Sequence, residues 1–286
     1  MSVTIKWQDN NLFEMGHRIY KSPTYFTEDS LPSMLVELGP DVTEYVDSAG
    51  VSGENWYRVS AFLDNGYEIF SEAFITGFFF NFGIGSSTFV GGDLSAGFLG
   101  EVSSADFITG DVLASAIGLT AGTPQNSDVP WWKFAIDNQI LYVPTMSFRN
   151  NLSWVNINNV NAVYDDSNAP IVTIGGYNFK VTLMTGAEAD PTVNENGDGS
   201  EWNRLIYRIH STVPSDQVGG NWASYNTDNT NITSGNGRYT WCQETRSSGT
   251  TNRVVRGYSS LSYFRTWSST SSYADYGWRP ALRLIQ

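Results

Sequence analysis

The chain is 286 residues long, 41% hydrophobic and 16% charged, which supplies enough apolar surface for two cores and excludes an intrinsically disordered protein. Its net charge of −13 is unevenly spread: residues 1–200 carry 24 acidic and 7 basic side chains, whereas residues 201–286 carry 5 acidic side chains and 9 Arg, with no Lys. These arginines are scattered and form no basic run, which argues against nucleic acid as a partner and for planar, bidentate or stacked contacts.

The first 77 residues read as short strands. Val3, Ile5 and Trp7 alternate with polar neighbours, as do Tyr57, Val59 and Ala61, and clusters of Gly, Pro, Asp and Asn separate the segments. The pattern predicts a small β-sandwich. The first twenty residues show no charged segment followed by an apolar core, so no secretory signal is expected and the chain is expected to be made in the cytoplasm. Residues 78–130 are rich in Gly, Phe, Ser and Thr. They read as a connector packed against a neighbour, with a short helix capped by Ser104 and carrying Phe107, Ile108, Val112, Leu113 and Ile117. The strongest apolar run, residues 73–84, is too short and too broken by Gly to span a bilayer, so no membrane insertion is expected.

A second domain, 131–286, opens with Trp131–Ile136 and residues 140–143 flanking Asp137-Asn138-Gln139, a hairpin with a short loop. Ser153 is placed to cap a helix containing Trp154. Gly175-Gly176 turns a second hairpin between Ile171–Ile174 and residues 177–183, and a helix starts at Ser200 and runs through Tyr207. Beyond residue 210 the sequence reads as loop until a closing hydrophobic strand in the run 276–285.

Several segments carry resemblances. Val3-Thr4-Ile5-Lys6-Trp7, Arg18-Ile19-Tyr20-Lys21-Ser22, Glu44-Tyr45-Val46-Asp47 and Gly53-Glu54-Asn55-Trp56-Tyr57-Arg58-Val59-Ser60-Ala61 together resemble a fibronectin type III domain. Trp7 would be the core Trp of that family's second strand, and Tyr57 its corner tyrosine near the sixth. The sequence starts almost at the Trp-bearing strand, so the resemblance implies an unpaired sheet edge for another subunit to cover. Val254-Val255-Arg256-Gly257-Tyr258-Ser259 and Tyr276-Gly277-Trp278-Arg279-Pro280 resemble the end of a C-type-lectin-like domain. The branch is the one shared by formylglycine-generating enzymes and phage receptor-binding proteins; Tyr258 stands in place of its second Gly and Trp278 in place of its Phe. Together with Trp131-Trp132-Lys133-Phe134, Asn151-Leu152-Ser153-Trp154 and Ser200-Glu201-Trp202-Asn203-Arg204-Leu205, the chain is similar to virion proteins of tailed bacteriophages.

These resemblances imply a mainly β fold with an α+β C-terminal part: a β-sandwich (1–77), a connector (78–130) and a C-type-lectin-like domain (131–286). They imply a non-enzymatic structural protein of the virion, located at the tail or a fibre and recognising the host surface through a glycan or protein ligand. Its partners would be other virion proteins and further copies of itself. A capsid or tail decoration protein that binds no receptor is the alternative.

The residues that bear on chemistry are few. Oxidase activity like that of the enzymatic relatives needs two reactive cysteines, and Cys242 is the single one; it reads as a small buried side chain and excludes a disulfide scaffold. Residues 194–199, Asn-Glu-Asn-Gly-Asp-Gly, resemble a calcium loop, but the twelfth position is Leu205 where a bidentate Glu is needed; the segment reads as a polar turn, with calcium held in another geometry with Asp190 or Glu201 as the alternative. No metal or cofactor is expected. His17 and His210 fall in separate domains with no Ser-His-Asp pattern. A carbohydrate-processing activity stays open only through carboxylate pairs, whose separation the fold decides. Trp7, Tyr57, Trp202, Arg256, Trp278 and Arg279 are expected to form the structural frame. Trp222, Tyr225, Tyr239, Tyr258, Tyr263, Trp267 and Tyr273 are the candidate ligand-binding residues, because Tyr and Trp among Ser, Asn and Thr give large contact areas with adaptable hydrogen bonds.

Overall fold

Side chains in Val3–Lys6 alternate between buried and exposed, and this strand pairs antiparallel with Glu44–Asp47 as a two-stranded sheet. The structure, a computed structural model, describes residues 3–9, 16–48, 53–78, 80–193, 199–210 and 221–286. It is mainly β and divides into two units, Met1–Asn81 and Phe82–Gln286. The expected calcium-like turn at 194–199 lies outside the described residues except for Gly199.

The second sheet of the first unit runs in the order Met34–Leu38, Gly16–Ser22, Gly53–Phe62, with Glu68–Phe70 and Phe74–Phe78 sharing the far side of the long central strand. Val3 and Ile5 from one sheet meet Ile19, Tyr57 and Val59 from the other, and Trp7 packs against this cluster. The two sheets therefore share one apolar cluster, and the short strands that the alternation predicts are present. Among the described residues Val3–Lys6 is paired on one side only. Asp47 is buried beneath this core, where its carboxylate accepts hydrogen bonds from Tyr57 Oη (2.9 Å) and Lys21 Nζ (2.7 Å). A buried carboxylate left short of donors is costly, so Tyr57 holds this unit by its hydroxyl as well as its ring.

In the second unit one sheet has seven strands in the order Ile171–Ile174, Tyr177–Thr182, Ala281–Leu284, Gln139–Pro144, Trp131–Ile136, Ala96–Val102, Gly91–Gly92. The other has six: Thr123–Pro124, Arg149–Asn150, Tyr276–Trp278, Tyr239–Arg246, Gly249–Gly257, Phe264–Ser268. Local chemistry explains several of these elements. Asp137 and Asn138 adopt φ of 47° and 61°, the left-handed conformation of a two-residue hairpin turn that Asn and Asp tolerate. Ser153 Oγ accepts from Asn156 N (3.2 Å) at the start of the Trp154–Asn158 helix, and Ser200 Oγ accepts from Asn203 N (3.2 Å) where the π-wound Trp202–Ile206 stretch begins.

Three expectations differ from the structure. The stretch read as a connector supplies, from Phe82 onward, three strands and a helix to the second unit. That helix is Gly110–Ala116, capped by Thr109 and not Ser104, because Ser104 Oγ donates to Asp128 O (2.8 Å) and residues 103–107 are spent on a turn closed by Ser103. Residues 239–268 form three strands where loop was expected. Ser, Thr and Arg on their solvent side dilute the period-two hydrophobic signal.

The closing segment switches sheets. Tyr276–Trp278 lies in the six-stranded sheet and Ala281–Leu284 in the seven-stranded one, so Arg279-Pro280 carries the chain across the core. Pro at such a corner leaves no ladder donor unpaired. Gly277 is required for close approach, since a Cβ there would lie 2.3 Å from Gly237 O.

Tyr57→Phe is expected to lower the stability of the first unit by about 1–3 kcal/mol through loss of one donor to a buried carboxylate. Thermal unfolding should show that transition shifted downward and the second unit's midpoint unmoved. An unshifted first transition would mean that Asp47 does not depend on the Tyr57 hydroxyl.

Candidate functional site

The strands Tyr239–Arg246, Gly249–Gly257 and Phe264–Ser268 form an antiparallel meander at one end of the six-stranded sheet. What lies beneath it is unusually polar for a core. Arg256 is buried and donates to Asn203 Oδ1 (2.7 Å), to Tyr207 Oη and to Gly186 O (3.2 Å). Arg279 is buried and donates to the Thr230 carbonyl. Burial pulls both guanidiniums below their usual pKa. Trp202 donates its indole N–H to Leu261 O (2.9 Å) and so fastens the 258–263 loop to the helix below. Trp278 is likewise buried. Each frame residue of the second unit therefore points inward.

Above this frame the structure brings together five of the seven candidate residues. Tyr258 lies flat on Tyr239, with ring centroids 4.3 Å apart and planes 9° apart. The Arg238 guanidinium sits 4.0 Å from the Tyr258 centroid; with Tyr239 on one face, it has only the other. Tyr263 touches both tyrosines at 5.9 and 5.7 Å. Tyr276 links the rest, with Tyr239 at 5.3 Å, Tyr273 at 5.8 Å and Trp267 at 6.2 Å. Tyr273 is the most exposed of the group at 65%, while Tyr239 and Tyr276 are buried and hold the others in place.

Tyr258 has φ +88°, a conformation that glycine adopts without cost and a bulky side chain does not. It occupies the position where the lectin-like motif would carry its second Gly. The backbone is held there by hydrogen bonds from Tyr258 N to Ile232 O (2.7 Å) and Arg238 O (3.1 Å). A ring is thus projected from a point in the fold where a turn would ordinarily accept no side chain.

Trp222 and Tyr225 lie elsewhere. Trp222 is half-buried over Gly91, where an added Cβ would come within 2.3 Å of its ring, and Arg208 stacks on it at 4.0 Å. Tyr225 packs on Trp132 at 5.3 Å and Phe98 at 6.2 Å, and donates to Glu101 Oε1 (2.8 Å). Both are therefore packing residues against the seven-stranded sheet, apart from the five-residue cluster. Tyr276 is the residue that sequence reasoning left out of the candidates. Its place comes from the parallel register Tyr239↔Tyr276, which no spacing along the chain reveals.

The titratable groups of the second unit's interior are turned inward. Glu201 binds Arg283 through both oxygens (2.5 and 2.8 Å) and accepts from Thr185 N (2.8 Å). Glu244 accepts from Gly186 N (3.0 Å), and burial raises its carboxyl to about 7. Burial also pushes the Cys242 thiol well up. His210 has Nδ1 2.7 Å from Ile206 O, which makes Nδ1 the protonated nitrogen and Nε2 the acceptor from Thr230 Oγ1 (2.9 Å). Among the described residues no three His, Cys, Asp or Glu cluster as metal ligands, and no helix is long and apolar enough to cross a membrane.

Burial lowers the His210 pKa from 6.5 to about 4. The unfolded chain therefore takes up this proton first as pH falls. The contribution of neutral His210 to stability is complete above pH 6.5 and is lost as pH falls through about 4. NMR titration should find the His210 ring neutral throughout pH 5–8, and a midpoint near the usual histidine value would contradict the buried geometry. Among protein-family models, curated proteins and solved structures, none matches this chain.

Proposed function

We propose that the chain is a non-enzymatic virion protein of a tailed bacteriophage, whose second unit is a C-type-lectin-like module that recognises a host-surface glycan or protein from the tail or a fibre. The first unit, in this reading, is a fibronectin-type-III-like module that attaches it to other virion proteins and to further copies of itself. The observation that carries the reading is Tyr258, held at φ +88° on Tyr239 and beside Tyr263, in an aromatic cluster that Tyr276 extends to Trp267 and Tyr273. A backbone conformation unfavourable for Tyr persists where a function uses the ring that it projects. Tyr and Trp lose little side-chain freedom on binding, and the surrounding Ser and Thr supply hydrogen bonds.

Two further features support the assignment of the modules. Tyr57 reaches back to Asp47, ten residues upstream, as a corner tyrosine would, although to a carboxylate and not to the backbone. The Arg256-Gly257 and Gly277-Trp278-Arg279 segments, which carry the lectin-like resemblance, hold the loops from within through buried guanidiniums.

Phage particles carrying Tyr263→Ala with Tyr273→Ala are expected to assemble in normal numbers and to adsorb to host cells roughly ten-fold more slowly, the loss of about 1.4 kcal/mol expected when two contact tyrosines are removed. Tyr258→Gly should reduce adsorption similarly while the purified chain still unfolds cooperatively, because relief of the backbone offsets part of the stacking lost on Tyr239 and Arg238. Unchanged adsorption in both variants overturns the reading. Particles that adsorb normally but disassemble would favour a decoration protein instead.

A further inference from the structure

Phe264–Ser268 forms one edge of the six-stranded sheet, and beside it opens a cleft of about 510 Å³. It is lined by Arg246 and Arg265, by Ser247, Ser248 and Thr266, and by Trp267 among others; among the described residues none that lines it is acidic. This is unexpected in a chain with a net charge of −13. Elsewhere Arg18, Arg204, Arg238 and Arg283 each pair with a carboxylate, and Arg58, Arg149, Arg253 and Arg279 donate to backbone carbonyls.

Among the described residues Arg246 and Arg265 form no ion pair. Arg246 donates to Thr266 Oγ1 (3.3 Å), and Arg265 donates to Tyr263 Oη (3.2 Å). The Arg265 guanidinium also lies 4.6 Å from the Trp267 ring centroid, which restricts its orientation. A guanidinium carries five N–H donors in a fixed fork, so a single hydroxyl leaves most of them available. Two such forks around one cleft match the oxygens of a carboxylate or phosphate, which Arg binds in paired, charge-assisted hydrogen bonds. The three hydroxyls offer both donors and acceptors to the neutral remainder of a polyhydroxylated ligand.

We infer that this cleft binds a saccharide bearing a carboxylate or phosphate, with Arg246 and Arg265 on the acidic group and Ser247, Ser248 and Thr266 on the sugar hydroxyls. The inference rests on the recognition reading above and names the chemical class of its ligand. It places the acidic group at the sheet edge, next to the aromatic cluster, with Trp267 and Arg265 common to both.

The test titrates the whole chain with matched pairs: an oligogalacturonide against its carboxyl-reduced form, and a phosphorylated mannan oligosaccharide against its dephosphorylated form. In at least one pair the acidic member is expected to bind about ten-fold more tightly than the neutral one, and Arg246→Gln with Arg265→Gln should abolish that preference. The pair that shows it distinguishes carboxylate from phosphate. Because both side chains lie on the surface, the variant's thermal midpoint should match the parent's. Equal binding within both pairs, binding to none of the four, or a preference that survives the double substitution overturns the inference. Equal binding that is lost in Tyr263→Ala with Tyr273→Ala would overturn it while leaving glycan recognition standing. An acid preference in a chain whose tyrosine variants adsorb normally would instead sink the recognition reading.

Discussion

A guanidinium taken out of water depends on partners inside the protein, and the second unit is organised around three buried ones, Arg256, Arg279 and Arg283. Arg283, on the closing strand, reaches Glu201 at the start of the helix, and its Nε donates to Thr182 Oγ1 (3.0 Å). Arg256 joins the meander to the same helix through Asn203 and Tyr207. Arg279, at the crossing between the sheets, reaches the loop at Thr230. Removing the partner of a buried charge costs far more than the pair contributes, so these contacts fix relative positions even where their net stabilisation is small.

That rigidity is what allows the outer surface to be irregular. The Trp202 indole bonded to Leu261 and the bonds from Tyr258 N hold the 258–263 loop in a conformation that its sequence alone would not favour. The tyrosines around it stack in layers from the buried Tyr239 and Tyr276 to the exposed Tyr273. An aromatic ring anchored from below loses little freedom when something docks above, so the frame and the displayed face are parts of one device.

The same residue type serves both layers. Arg256, Arg279 and Arg283 are sequestered, whereas Arg246 and Arg265 stand at a cleft where their hydrogen bonds go to hydroxyls. The excess of arginine over acid in residues 201–286 is therefore the sum of two different uses, one internal and one facing solvent. Charge counting cannot separate them, because burial is a property of the folded chain.

What was legible in the sequence was what depends on neighbours a few residues apart. The Asp137-Asn138 and Gly175-Gly176 turns, the Ser153 cap and the alternation in Val3–Lys6 all act within one turn or one strand, so residue type alone decided them. The strands of 239–268 escaped notice because their outer faces are polar, and the helix start moved from Ser104 to Thr109 because Ser104 is drawn to a carbonyl 24 residues away. The site was half legible: the Tyr and Trp of 239–273 were evident as a composition. Their union through Tyr276, the withdrawal of Trp222 and Tyr225 into packing, and the placing of Arg246 and Arg265 at one cleft were decided only by the tertiary structure. Strand register and sheet crossing join residues tens of positions apart, and no local preference encodes that pairing.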